Sequence, residues 1–208
     1  SFANEMIEIS DENEKPIFGV QKLLLYSSAN AIDYSDNQSL NDLSICQYTD
    51  ISIYIDNLLT VSDLTDENTV KELYIDNIVI TSEADKGNKL LNYKNPSSFG
   101  KFKMIQPIEN NRIDFTIVNT NSENETHDYN QPTFYTDCSN PITLGFLNKD
   151  ILKNYAVSQD SSTVSFNGKV LQEANIPIED INYTLNFTIN IVNNLNEHFS
   201  YNMNLDVD

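Results

Sequence analysis

The residues in this sequence best suited to chemistry are carboxylates, and calcium is the ligand that suits them best. Hard cations bind clustered carboxylate and amide oxygens. The richest cluster of such side chains comprises Asp56, Asp63, Asp66, Glu67 and Asp76. Their spacing does not match an EF-hand loop, so the fold would have to bring them together. They are a candidate calcium site, and the alternative is that they are solvated loop carboxylates.

Common catalytic and nucleotide-binding motifs are absent from the sequence. The five glycines are too far apart for a phosphate-binding loop, and no Gly-x-Ser-x-Gly elbow is present. The two histidines, His127 and His198, lack the i+4 partner of a zinc-binding helix. We therefore predict no catalytic residue and no organic cofactor. The alternative is a secreted hydrolase that acts on a glycan or peptide through a carboxylate pair or a bound metal.

The two cysteines leave two interpretations open. Cys46 and Cys138 are far apart in the chain and have no C-x-x-C spacing of the kind found at metal and redox sites. They could form one disulfide if the protein is exported. Otherwise they are small buried residues.

The charge of the chain restricts its partners. There are 31 acidic residues and 12 Lys and Arg, for a net charge of −19. Such a chain repels phosphate backbones and anionic lipid surfaces, which are recognised by basic residues. No apolar run approaches the roughly 18 residues of a membrane span. We expect no nucleic-acid partner and no membrane insertion of this segment, which leaves a protein, a glycan or a second copy of the chain.

The start and composition of the chain favour export. The sequence begins Ser1-Phe2-Ala3 rather than with Met, which indicates that an N-terminal segment has been removed. It is rich in Asn, Tyr, Thr and Ser and poor in Lys and Arg, as exported and surface proteins often are. We expect an extracellular or cell-surface location.

The C-terminal elements have the clearest pattern. Apolar residues occupy the odd positions and polar residues the even positions from Ile181 to Ile191 and again from Phe199 to Val207. This alternation predicts two half-buried strands, and the Asn-rich link between them predicts a hairpin. Opposed residues of an antiparallel pair share a face, so apolar must face apolar. A symmetric hairpin centred on Leu195 satisfies this condition.

That hairpin would pair Ile189 with Tyr201, Phe187 with Met203 and Leu185 with Leu205 on the core side. Its other side would carry a row of amides and hydroxyls: Thr184, Asn186, Thr188, Asn202 and Asn204. We call these five residues the polar face. They are a candidate interaction face, and the strands that carry them are a candidate assembly edge. The alternative is a surface that simply faces solvent.

Other segments complete an all-β pattern. Further strands are predicted at 22–26, 101–105, 112–118, 133–136 and 142–147, and a second hairpin is predicted around Asn167-Gly168. Short helical turns are expected within 62–73 and 148–155. The repeated tetrapeptide Tyr-Ile-Asp-Asn at 54–57 and 74–77 suggests equivalent strand ends in one sheet. Because glycine is scarce and the chain has 30 asparagines, we expect asparagine to supply the positive-φ turn positions.

Together these features predict one all-β domain over residues 1–208. The expected architecture is an antiparallel β-sandwich of Ig-like or jelly-roll type with at most short helical turns. The expected function is that of a non-catalytic binding or self-assembly module.

Overall fold

The structure, a computed structural model, describes residues 4–9, 18–32, 42–57, 69–82, 86–94, 104–107, 111–119, 131–156 and 169–207. The strands are β1 (Asn4–Ile9), β2 (Phe18–Ile32), β3 (Leu43–Asn57), β4 (Val70–Thr81), β5 (Asn88–Lys94), β6 (Met104–Pro107), β7 (Ile113–Asp114), β8 (Thr116–Val118), β9 (Thr133–Tyr135), β10 (Ile142–Tyr155), β11 (Tyr183–Asn193) and β12 (His198–Val207). A short helix, α1 (Lys169–Glu173), and a 3-10 turn at Ile178–Asp180 precede the last two strands. The predicted all-β class is confirmed.

Two five-stranded antiparallel sheets make up most of the fold. Sheet A has the order β1-β12-β11-β4-β7, and sheet B has the order β2-β3-β10-β5-β6. A separate two-stranded parallel sheet joins β8 and β9. Because β11 and β12 lie between β4 and β1, the C-terminal hairpin has no free edge. The prediction that the hairpin is an assembly edge is therefore wrong.

The main hydrophobic core draws on both sheets. Ile53 and Leu144 of sheet B and Ile189 of sheet A are fully buried members of one cluster. The ring of Phe146 in β10 stacks on Tyr183 of β11 with centroids 3.8 Å apart. Aromatic contacts of this kind add to the stabilisation from buried area. The inner faces of the two sheets therefore pack against each other.

Asparagine does take the positive-φ positions of the described chain. Seven non-glycine residues have positive φ there, and five of them are asparagines: Asn77, Asn111, Asn154, Asn175 and Asn196. The short side chain of Asn tolerates the left-handed region better than most residues do. This sequence-based expectation is confirmed.

The second predicted hairpin is wrong at its C-terminal arm. Val170 and Leu171 lie in α1 rather than in a strand. Both are buried in a second cluster with Ile176 and Ala29. A helical turn can bury two adjacent residues on one side of the chain, whereas a strand would send them to opposite faces. The Asn167-Gly168 turn itself lies outside the described residues.

The helical turn predicted within 148–155 is also wrong. This segment continues β10, and its pairing with β3 shifts register between Asn148 and Leu152 and again before Tyr155. Asp150 and Asn154 adopt positive φ in these irregular stretches. Inserted residues break the two-residue alternation of a strand, so the segment loses the pattern that would have identified it.

The remaining predicted elements have mixed outcomes. All five further strand segments contain strand residues, although 101–103 lie outside the described residues. Of the helical turn within 62–73, positions 62–68 also lie outside, and from Val70 onward the chain is strand β4. The two Tyr-Ile-Asp-Asn copies are not equivalent: 54–57 ends β3 in sheet B, whereas 74–77 lies inside β4 in sheet A.

Candidate functional site

The polar face lies on the outer side of sheet A in the predicted register. Phe187 pairs with Met203, Thr188 with Asn202 and Asn186 with Asn204. Phe187 and Met203 are only 2% and 1% exposed, whereas the asparagines beside them are partly exposed. The face assignment and the register of the hairpin are therefore confirmed.

A bulge in β4 brings a third strand to the polar face. Thr188 is opposite Asp76 and Asn186 is opposite Val79, with a register shift between these pairs. Asn77, with φ of 51°, is the inserted residue. The insertion exchanges the two faces of β4: the odd positions Leu73 and Ile75 are buried before it, and the even positions Ile78 and Ile80 contact the core after it.

The bulge and the hairpin together form a shallow hollow of about 190 Å³. Its lining contains the side chains of Asn77, Asn186, Thr188, Asn202 and Asn204. Phe187 and Met203 also line it, and since their side chains point into the core, they contribute main-chain atoms. Four of the five polar-face residues thus meet in one place. The fifth, Thr184, is not part of the lining.

Hydrogen bonds across the strands order part of the polar face. Thr188 Oγ1 donates to Asn202 Oδ1 at 2.9 Å, and Thr184 Oγ1 donates to Asp206 Oδ1 at 2.8 Å. The Oδ1 atom of Asn204 has no hydrogen-bond partner among the described residues. An unpaired buried acceptor costs roughly 1–3 kcal/mol.

The polar face continues into a network around Asn190, which sequence analysis missed. Asn190 is 4% exposed, and its Nδ2 donates to Asp76 Oδ1 at 2.7 Å. Its Oδ1 accepts from Ser200 Oγ at 3.1 Å and lies 3.0 Å from His198 Nε2. Asn190 pairs with Ser200 across the hairpin. Both residues have even numbers, so they lie on the same side of the sheet as Thr188 and Asn202. The apolar/polar alternation of the two strands, followed one residue pair further toward the turn, would have identified Asn190 and Ser200.

This network does not have the geometry of a serine nucleophile. His198 Nε2 is 3.3 Å from Ser200 Oγ, as a general base would be. However, the hydroxyl proton of Ser200 is donated to Asn190, and the same histidine nitrogen also faces Asn190 Oδ1. In the part of the chain that the structure describes, no carboxylate bonds to His198 to orient it. The contacts fix the end of the polar face and do not activate Ser200.

A cationic group borders this network. The Arg112 guanidinium lies 3.8 Å from the ring centroid of Tyr74 and donates three hydrogen bonds to the Asp114 carboxylate, at 2.7, 2.9 and 3.0 Å. The hydrogen bond to Asp114 is the main cause that raises the pKa of Arg112. The Tyr74 ring in turn lies 6.3 Å from the His198 ring, centroid to centroid. The positive charge of Arg112 is thus paired with the Asp114 carboxylate, and Arg112 is not among the residues that line the hollow.

The calcium candidates are only partly described. Asp56 lies at the end of β3 in sheet B, and Asp76 lies in β4 of sheet A, where it accepts the hydrogen bond from Asn190. Asp63, Asp66 and Glu67 lie outside the described residues. Over the described ranges, no group of three or more His, Cys, Asp or Glu side chains could hold a metal ion. The calcium site stays a prediction.

Neither Cys46 nor Cys138 is part of a disulfide in the structure, so the bridged alternative is not observed. Cys46 is fully buried and clusters with Tyr48 and Leu147. Cys138 is partly buried against the main core with φ of 58°. Burial raises the pKa of the Cys138 thiol to about 11, and the charges of Asp56 and Asp137 add to the increase.

None of the described helices has the length and apolar character needed to cross a bilayer. Comparison of the chain with models of known protein families, with characterised proteins and with solved structures finds no match. The function must therefore be inferred from the site itself.

Proposed function

We propose that the protein is a non-catalytic interaction module, secreted or displayed at the cell surface, that binds a partner through the polar face or assembles with itself. The hollow among Asn77, Asn186, Thr188, Asn202 and Asn204 is the observation that carries this proposal. Amide side chains both donate and accept hydrogen bonds. Four of them around one depression make a surface suited to recognition.

The chemistry of the hollow favours a neutral, polar ligand. None of the described residues that line it is charged. The net charge of −19 disfavours anionic ligands in general. Saccharide hydroxyls both donate and accept hydrogen bonds, so they can pair with the amide groups around the hollow.

The architecture that would present this face is a single β-sandwich domain of Ig-like or jelly-roll type. The stacked rings of Phe146 and Tyr183, and the edge contact between Phe18 and Phe199, support the packing of one sheet on the other. A rigid two-sheet scaffold holds the outer face of sheet A in a fixed shape, and sites on strands are more precise than sites on loops.

The test is binding to an array of neutral oligosaccharides by the wild-type protein, by Asn186→Ala and by Asn202→Ala. Glu72→Gln, an exposed change in β4 away from the hollow, is the matched control. We expect wild type and control to bind and both alanine variants to lose binding while remaining folded. Asn202→Ala should melt at a slightly lower temperature, because it removes the acceptor of the Thr188 hydroxyl. The polar-face proposal fails if the alanine variants bind as well as wild type, or if wild type binds no member of the array.

A further inference from the structure

We propose that β2 is the edge through which two copies of this chain associate, by antiparallel strand pairing between the copies. The inference rests on the self-assembly part of the proposed function. It uses sheet B, whereas the polar face lies on sheet A. Loss of glycan binding and loss of association are therefore separate outcomes that can be told apart.

The four sheet edges differ sharply in how they are protected. Natural edge strands avoid pairing by being short, by carrying charge or by containing proline. β7 has only two residues, β6 has four and ends at Pro107, and β1 has six and contains Glu5 and Glu8. In contrast, β2 has 15 residues, with no proline and no acidic residue. Among the described edge strands, β2 alone is long, and its protection is limited to Lys22 and to a bulge near its N-terminal end, where the pairing with β3 shifts between Val20 and Lys22.

Lys22, the one charged residue of β2, does not hinder strand pairing at the open edge. Lys22 Nζ lies 4.3 Å from the ring centroid of Tyr54, which is on the neighbouring strand β3. This contact draws the ammonium group over the sheet and toward β3. Lys22 is the only charged residue of β2, so no described side chain of this strand places a charge along the open edge.

β2 also carries exposed apolar side chains next to its open edge. Leu24 and Tyr26 are 51% and 57% exposed on the outer side of sheet B, and Leu23 and Leu25 alternate with them and pack against the core. Farther along the strand, Ala29 is buried in the cluster that contains α1 residues. The segment from Lys22 to Ser28, on the C-terminal side of the bulge, is thus the part of β2 where a new strand would both complete hydrogen bonds and cover apolar surface.

A second copy is the occupant that the charges favour. Each copy carries −19, so two copies can approach closely only along a strip without acidic residues. A cationic partner would instead prefer acidic elements such as β1. A two-fold axis at Leu25 places Leu24 opposite Tyr26 of the second copy and Lys22 opposite Ser28. Apolar then faces apolar, and the two lysines do not oppose each other.

The experiment uses two double variants at the exposed pair: Leu24→Asp with Tyr26→Asp, and Leu24→Lys with Tyr26→Lys. Molar mass is measured by light scattering over a concentration series at two salt concentrations. We expect wild type to reach twice the mass of the 23.7 kDa chain, with more dimer at high salt because salt screens the like charges. Each double variant alone should be monomeric, since like charges would face across the pair.

An equal mixture of the two double variants should form dimers again, because Asp then faces Lys. This recovery would not occur if the substitutions had only unfolded the chain. Val79→Asp, at a similarly exposed apolar position in sheet A, should dimerise as wild type does. The proposal is overturned if wild type is monomeric at every concentration, which would assign the edge to a different partner. It is also overturned if both double variants still dimerise, or if their mixture stays monomeric.

Discussion

At the residue scale, asparagine has two unrelated tasks in this chain. Some asparagines hold backbone positions with positive φ, and others present amides on the polar face. Asn77 does both, since its φ of 51° forms the bulge that brings it to the hollow. The sequence predicts the first task from the scarcity of glycine. It cannot predict which asparagine does what, because the bulge depends on pairing with β11.

Asn175 offers a test of the backbone role. It follows α1 with φ of 55°, and Ile176 N–H donates back to Leu171 at 2.9 Å to close the helix. Asn175→Val should lower the free energy of unfolding by about 1–2 kcal/mol, because a β-branched residue resists the left-handed region. Asn175→Gly should stay within about 0.5 kcal/mol of wild type.

Urea unfolding measures both variants of Asn175. Gln172→Val is the control, because Gln172 is an exposed residue of the same helix without positive φ. It should cost no more than roughly 0.5 kcal/mol through helix propensity. Equal costs for the two valine substitutions would show that backbone strain at Asn175 is not the cause.

Cys138 offers a test of burial. Its pKa of about 11 means that the folded protein holds far less thiolate near pH 8 than an ordinary cysteine does. Since each pKa unit is a tenfold change in thiolate, the alkylation rate should be about 100-fold slower than in the urea-unfolded chain. Cys46→Ser isolates the signal from Cys138. An equal rate in the folded and unfolded protein would contradict the burial of this thiol.

At the element scale, the strands and register of the C-terminal hairpin could be predicted, whereas the full extent of β10 could not. The hairpin has an unbroken two-residue period, so parity together with the symmetric choice centred on Leu195 gives the register from Tyr183–Val207 to Val192–His198. In β10 the period fails after Asn148, where the pairing with β3 shifts. The central place of the hairpin in sheet A was also not predictable, because alternation does not specify which strands lie beside it.

The two sides of β11 should respond differently to truncation. Phe187→Ala should lower the free energy of unfolding by about 3–5 kcal/mol, because it removes a buried ring and leaves a cavity. Asn186→Ala, on the partly exposed side, should cost less than about 1 kcal/mol. Equilibrium unfolding in urea gives both values. Equal losses would mean that the hollow is part of the packed interior and not a binding surface.

At the scale of the whole molecule, the predicted calcium site requires the fold to bring carboxylates from distant segments of the chain close together. Asp56 and Asp76 lie in different sheets. If the five candidates meet, millimolar calcium should raise the melting temperature by mass action, since only the folded chain would hold the ion. Melting is followed by circular dichroism in calcium and in chelator, with magnesium as the control cation. Identical curves in calcium and chelator would argue against the site.

Burial of phenols and a thiol across both sheets should make the fold sensitive to alkali. Burial raises the pKa of Tyr48 and Tyr93 in sheet B, of Tyr183 in sheet A and of Cys138. A raised pKa means that the folded state holds its proton to higher pH than the unfolded state does. The unfolded chain therefore ionises first, and the stability that is present below the ordinary pKa is lost as pH rises.

The melting temperature should accordingly change little between about pH 7 and 8 and fall steeply above about pH 10, where free tyrosine ionises. Tyr183→Phe tests the cause. It keeps the ring that stacks on Phe146 and removes the ionisable hydroxyl. Each such group contributes about 1.4 kcal/mol per pH unit to the alkaline slope, so the variant should lose stability less steeply than wild type above about pH 10. If the slope of stability against pH is the same in the variant and in wild type, Tyr183 already ionises in the folded protein. Its phenol would then be accessible to water and not buried between the two sheets.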